Sequence, residues 1–250
     1  MTNGFRYQMT ATAPNSDGLR ERLTSVLSNI EAAAQRSRRS PEDIKLVAVS
    51  KTHPAAVIRQ AIEAGVTDLG ENRVQEAESK IHAVGRSAAR WHLIGHLQSN
   101  KARRAAQLFD VIHSLDSVSL ARRLDRACTD DGRQELPVLI EVDLGHEATK
   151  TGVDESELPA LIEAVNECST LQLIGLMTLP PYFENAELVR PYFVKLRELR
   201  DGIRKQGAFA DDTEGELSMG MTHDFEIAIE EGATMVRIGT AIFGEREQQD

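Results

Sequence analysis

The sequence predicts a single (β/α)8 barrel, and three observations carry that prediction. Short β-branched apolar runs alternate with segments of helical periodicity, these runs number eight, and the residues that close them are unusually polar. Strands that are apolar on both faces and separated by helices form parallel sheets, and a count near eight favours closure over an open doubly wound sheet. The open sheet stays as the alternative because one strand candidate, Glu216 to Ser218, is very short.

Residues Met1 to Ser16 are polar and lack a periodic apolar face, so 1–16 reads as a loose extension and 17–250 as the barrel domain. Leu19, Leu23, Val26, Leu27, Ile30 and Ala34 recur at helical spacing from Asp17 to Arg39, which predicts an extra N-terminal helix ended by Pro41. Lys45 to Ser50 is the first strand, followed by a helix from Pro54 to Ala64 with Gly65 at its end. Further strands are expected at Val66 to Leu69, Trp91 to Ile94, Val111 to Ser114, Pro137 to Leu144, Leu171 to Met177, Glu216 to Ser218 and Thr234 to Ile238. Helices are expected at Val74 to Val84, Ser99 to Leu108, Ser117 to Cys128, Ser156 to Cys168, Ala186 to Lys205 and His223 to Glu231, the last starting near Thr222.

At 250 residues one barrel accounts for the chain, and 41% hydrophobic with 27% charged residues is ordinary for a folded domain. The formal charge of -10 argues against nucleic acid as a partner. No run is long and apolar enough for a membrane span, and no secretion signal opens the chain, so a cytoplasmic location is expected. Cys128 and Cys168 form no CxxC pair and read as two reduced thiols.

In a barrel the site lies at the C-terminal strand ends. Those ends carry Lys51, Glu71 with Asn72, His96, His113 with Ser114, Asp143, Met177 with Thr178, Ser218, and Arg237 followed by Gly239 and Thr240. If Val47 and Val49 point inward, the two-residue period aims Lys51 at the mouth, where desolvation and a nearby cation would expose a free amine. A lysine there can also simply extend to solvent. The turn Ser218-Met219-Gly220 and the segment Arg237-Ile238-Gly239-Thr240 occupy the last two βα connections, where barrels commonly hold phosphate. An ordinary capped turn, and a salt bridge for Arg237, are the alternatives.

Four long motifs extend this reading. VAVSKTHP at Val47 to Pro54, GENRVQEA at Gly70 to Ala77, WHLIGHLQSNK at Trp91 to Lys101, and LSMGMTHDFEIAI through MVRIGTAIFG at Leu217 to Gly244 resemble the pyridoxal phosphate homeostasis proteins, the YggS or PROSC family. The resemblance implies a fold-type III barrel like the alanine racemase N-terminal domain, with pyridoxal 5′-phosphate (PLP) as a Schiff base on Lys51. It further implies Arg237 facing the pyridine nitrogen, Ser218, Gly239 and Thr240 on the phosphate, and Met219, Gly220 and Asn72 lining the pocket. His146 and Arg73 depart from the family pattern at the rim.

Binding is expected rather than a dedicated reaction, with no catalytic residue and no metal. Arginine opposite the ring nitrogen only donates and weakens the electron sink, although racemases tolerate it. The chain ends at Asp250, just past the last strand, which leaves no room for the second domain from which related racemases and decarboxylases draw an acid or base. A small PLP-dependent amino-acid racemase is the alternative, and a phosphate-binding barrel without PLP a third reading. Expected partners are PLP, small amino acids or cofactor-free PLP enzymes, and the protein is expected to be a monomer. His92 and His96 straddle a strand and its loop without a third ligand, which argues against zinc. His113, Ser114 and Asp116 diverge along a strand rather than form a triad, so His113 reads as a pocket or packing residue. Lys101, Arg103 and Arg104 read as a solvated helix face.

Overall fold

A computed structural model describes residues 16–145, 151–210 and 213–245. Eight parallel strands close in chain order: β1 Lys45–Val49, β2 Asp68–Glu71, β3 Arg90–Leu93, β4 Val111–Leu115, β5 Leu136–Glu141, β6 Leu171–Met177, β7 Glu216–Ser218 and β8 Met235–Ile238. Short β7 keeps the cylinder shut, with three registered pairs to β6 and one to β8. The outer layer comprises α1 Ser16–Arg36, α2 Ala55–Glu63, α3 Val74–Val84, α4 Ala102–Leu108, α5 Val118–Asp130, α6 Leu158–Asn166, α7 Arg190–Lys205, α8 Phe225–Glu230 and α9 Thr240–Phe243. Among the described residues no helix is long and apolar enough to cross a membrane.

The expected elements are present, with shifted ends. Residues 1–15 of the expected extension and His146 lie outside the described residues, while Ser16 opens α1. That helix stops at Arg36, before Pro41, because Arg38 turns the chain in the left-handed region at φ 57°. β5 ends at Glu141 rather than Leu144, since Val142 bridges instead to Val153. α8 begins at Phe225, not near Thr222: the Asp224 carboxylate accepts from Met221 N at 2.6 Å and holds a turn ahead of the helix. The four-residue α9 was not expected from the sequence.

Side-chain parity splits the core in two. Ala48, Leu69, Trp91, Leu93, Ile112 and Val236 point outward beneath the helices, in the large apolar layer. Inside the cylinder sit two small apolar clusters, Val47, Val49 and Ile94 on one side and Val111, Leu139 and Met177 on the other. Two glycines make room for this arrangement. A Cβ on Gly70 would meet Val47 Cγ1 at 3.0 Å, and one on Gly175 would run into the Glu216 backbone, its carbonyl carbon at 2.7 Å.

A buried ionic cluster ties α3 to the end of β1. Lys80 Nζ donates to Ser50 O at 2.7 Å, Glu71 Oε1 at 2.7 Å and Glu76 Oε1 at 2.6 Å, and the Ser50 hydroxyl donates to Glu71 Oε1 at 2.6 Å. Glu76 Oε1 also accepts from Thr52 N, and Thr52 takes a left-handed φ of 68°. Residues 50 and 52, on either side of Lys51, are thus both anchored to one ammonium–carboxylate cluster. Burial pushes the Glu71 carboxyl above the ordinary glutamate value, although Lys80 and Ser50 oppose it.

Two stability outcomes follow. Lys80→Met removes the cation from a cluster in which Glu71 is fully buried, so chemical denaturation at neutral pH should show a loss of about 3–5 kcal/mol. With its folded pKa raised further above the unfolded value, Glu71 then favours folding only when protonated. The deficit should therefore shrink as pH falls towards about 4, and a deficit that does not change with pH would contradict the assignment. Gly175→Ala should cost about 3 kcal/mol in the same assay, because its methyl meets main chain, which cannot rotate away.

Candidate functional site

Strand register gathers the sequence-predicted residues on one arc of the mouth. β7, β8, β1 and β2 are consecutive neighbours around the cylinder. Val47 pairs with Arg237 and Ala48 with Ile238, so Lys51 leaves β1 beside the Gly239-Thr240 turn that leaves β8. A Cβ on Gly239 would lie 3.3 Å from Val49 O, which measures how closely these two exits pack. On the far side of Lys51, Asn72 follows β2 and presses its main chain against Gly95. Lys51 is half-buried, Asn72 likewise, and Thr240 is exposed at the head of α9.

The turn after β7 is bound tightly to β8. Met219 N donates to Met235 O at 3.1 Å, and Arg237 N donates to Gly220 O at 2.9 Å. Gly220 has φ 93°, and a Cβ there would lie 2.6 Å from Ala228 Cβ, so this glycine is required by the seat of α8. The Met219 amide is already committed to the sheet. Gly239 and Thr240 differ: the first N–H groups of α9 have no partner within the helix, and among the described residues the Thr240 hydroxyl makes no hydrogen bond.

Arg237 lies inside the barrel, buried. Its Nη1 donates to Ser218 Oγ at 2.6 Å and its Nη2 to Thr178 O at 2.8 Å. Burial pulls the guanidinium down to about 10, with Asp224 and Glu141 opposing, so at neutral pH it stays a cation and a donor. Glu141 is also buried; Thr151 donates to its Oε1 at 2.9 Å, while its Oε2 has no hydrogen-bond partner among the described residues, and burial pushes the carboxyl up.

From Ser218 a line of hydrogen bonds crosses the cylinder. Ser218 Oγ lies 2.8 Å from His113 Nδ1, His113 Nε2 lies 2.8 Å from His92 Nδ1, and His92 Nε2 lies 2.9 Å from Asp68 Oδ1. Burial lowers both histidines, His113 furthest. Burial alone would raise Asp68, but hydrogen bonds from His92 and Thr67 bring it below the usual carboxylate range. His113 is buried inside the cylinder and joins Ser218 to His92. Sequence reasoning missed this line, although the signal was available: His92 alternates with outward Trp91, as His113 does with Ile112.

The other signals separate. His96 leaves His92 to meet Asp116 at 3.1 Å, and among the described residues no group of three or more His, Cys, Asp or Glu could hold a metal. Arg103 pairs with Asp131 and Arg104 with Glu78 on the outer surface. Cys128 and Cys168 are free thiols, and burial pushes Cys168 up to about 11. At the rim Tyr182 lies over the His223 ring at 5.4 Å, joining the connection after β6 to that after β7. Two outer grooves of about 620 Å³ each, one between α6 and α7 and one beside α5, contain none of the predicted site residues.

Known proteins share this architecture. Residues 22–247 match the family model described as alanine racemase, N-terminal domain. A pyridoxal phosphate homeostasis protein of Aquifex aeolicus is 48% identical over 228 residues, covering 91% of this chain and 98% of that protein. The structure of PipY from Synechococcus elongatus with PLP bound is 39% identical, with a TM-score of 0.77 over 90% of this chain and 100% of that one. Alanine racemase from Corynebacterium glutamicum, at 18% identity and a TM-score of 0.64 over 91% of this chain and 62% of its own, shares the fold. With 48% identity over 91% of this chain and 98% of that relative, the chain belongs to the pyridoxal phosphate homeostasis family.

Proposed function

We propose that residues 17–250 form a PLP-binding barrel that serves cytoplasmic PLP homeostasis, with the cofactor held covalently through the Lys51 amine and no dedicated reaction. The observation that carries this reading is the placement of an amine, Lys51, just past the end of β1, and a buried guanidinium, Arg237, on the adjoining strand β8. The donor set fits the group: an amine for an aldehyde, a donor-only cation for a ring nitrogen, and the Thr240 hydroxyl with the N–H groups at the head of α9 for a phosphate. When bound, PLP supplies an aldehyde that condenses reversibly with amines and a ring that withdraws electrons.

Lys51 is positioned from both sides by the Lys80 cluster, which fixes residues 50 and 52. Arg237 donates to an unprotonated ring nitrogen, and this keeps the ring a weak electron sink. Gly239 and Thr240 take the phosphate, with Met219 and Gly220 as the wall beside it and Asn72 lining the opposite edge. Ser218, expected on the phosphate, has its oxygen engaged by Arg237 and His113, so its contribution is to hold the guanidinium. Small amino acids are the natural competitors for the aldehyde and cofactor-free PLP enzymes the natural recipients, with the protein acting as a monomer.

Borohydride reduction of protein loaded with PLP, followed by peptide mapping, should place the pyridoxyl label on Lys51; a label confined to Lys45 or Lys101 would overturn the assignment. Thr240→Val should weaken PLP binding about tenfold, the size of one charge-assisted hydrogen bond, and leave binding of unphosphorylated pyridoxal unchanged. Amino-acid racemisation far above the rate of free PLP, lost in Lys51→Ala, would replace the homeostasis reading with a racemase.

A further inference from the structure

The polar line through the barrel ends in two groups that each have a single hydrogen-bonding role. Arg237 can only donate. Asp68, whose Oδ2 accepts from the Thr67 hydroxyl at 2.7 Å, can as a carboxylate only accept. Between them stand two imidazoles and one hydroxyl, all buried. If the imidazoles are neutral, each has one N–H, and one order satisfies every contact: His92 Nε2–H donates to Asp68, His113 Nε2–H to His92 Nδ1, Ser218 O–H to His113 Nδ1, and Arg237 Nη1–H to Ser218 Oγ.

The charges around the rings favour neutrality. His113 faces Arg237, with Lys45 and Arg90 nearby, and His92 faces Asp68 with the same two cations. A proton added to His113 would set an imidazolium beside the guanidinium in the interior of the cylinder, with no further carboxylate bonded to it.

We infer that Asp68, His92 and His113 are positioning residues which lock Ser218 and Arg237 in this single proton order. The guanidinium then meets the cofactor ring as a fixed donor, and the Ser218 proton is withheld from the phosphate. The link to the ring rests on the PLP reading above; the proton order itself does not.

The test begins with nitrogen-15 NMR of the histidine rings in protein without added PLP. Both rings should carry the proton on Nε2 and should not titrate between about pH 5 and 8. A proton on His113 Nδ1, or titration of either ring in that window, overturns the order, and this measurement needs no substitution. Asp68→Leu, which leaves His92 Nε2–H without an acceptor, should mix the two His113 tautomers and weaken PLP binding about tenfold or more, whereas Asp68→Asn, which retains an acceptor oxygen, should restore both. Unchanged PLP affinity in Asp68→Leu overturns the positioning role. Failure of the unsubstituted protein to bind PLP would sink the proposed function and leave the ring tautomers to decide the proton order.

Discussion

A guanidinium enclosed by strands is the constraint on which the site is built. A charge removed from water destabilises the fold by several kcal/mol unless its N–H groups find acceptors. Arg237 finds Ser218 Oγ and the Thr178 carbonyl, with the Asp224 and Glu141 carboxyls close enough to act on its charge. The acceptor hydroxyl has a proton of its own to place, and that need reaches through His113 and His92 to Asp68. The interior of this cylinder is therefore polar along one line and apolar on either side of it, where Val47, Val49 and Ile94 face Val111, Leu139 and Met177.

A second buried ion solves a different problem. Lys80 binds Ser50 O and Glu71 at the strand ends, and with Glu76 it fixes both neighbours of Lys51. Half-buried Lys51 thus sits on a main chain held from both sides by the cluster that α3 carries. Precision in such a site comes from the support below rather than from contacts of the reactive group itself.

Much of this was legible in the sequence because a parallel barrel leaves a strong pattern. Alternation of strand and helix gave the closed architecture, and the rule that strand ends carry the site placed Lys51, Arg237, Gly239 and Thr240 on adjoining exits. What escaped notice has physical causes. The start of α8 was missed because Asp224 caps a turn, which a single sequence does not distinguish from a helix that begins at Thr222. Gly220 reads as a glycine for phosphate approach, yet its bare face is filled by Ala228. Alternation marks His92 and His113 as inward, but which residues then pair across three strands, or from a helix to two strand ends in the Lys80 cluster, leaves no local spacing to read.

The seam between β1 and β8 carries a last consequence, for the order of assembly. Those strands bring together residues near position 48 and residues near position 238, the longest loop that the pairing of the barrel strands must close. An amine on one edge and a cation on the other become neighbours only at that final stitch. A ligand that needs both edges recognises the finished cylinder and no earlier intermediate, so its presence draws the folding equilibrium towards complete closure.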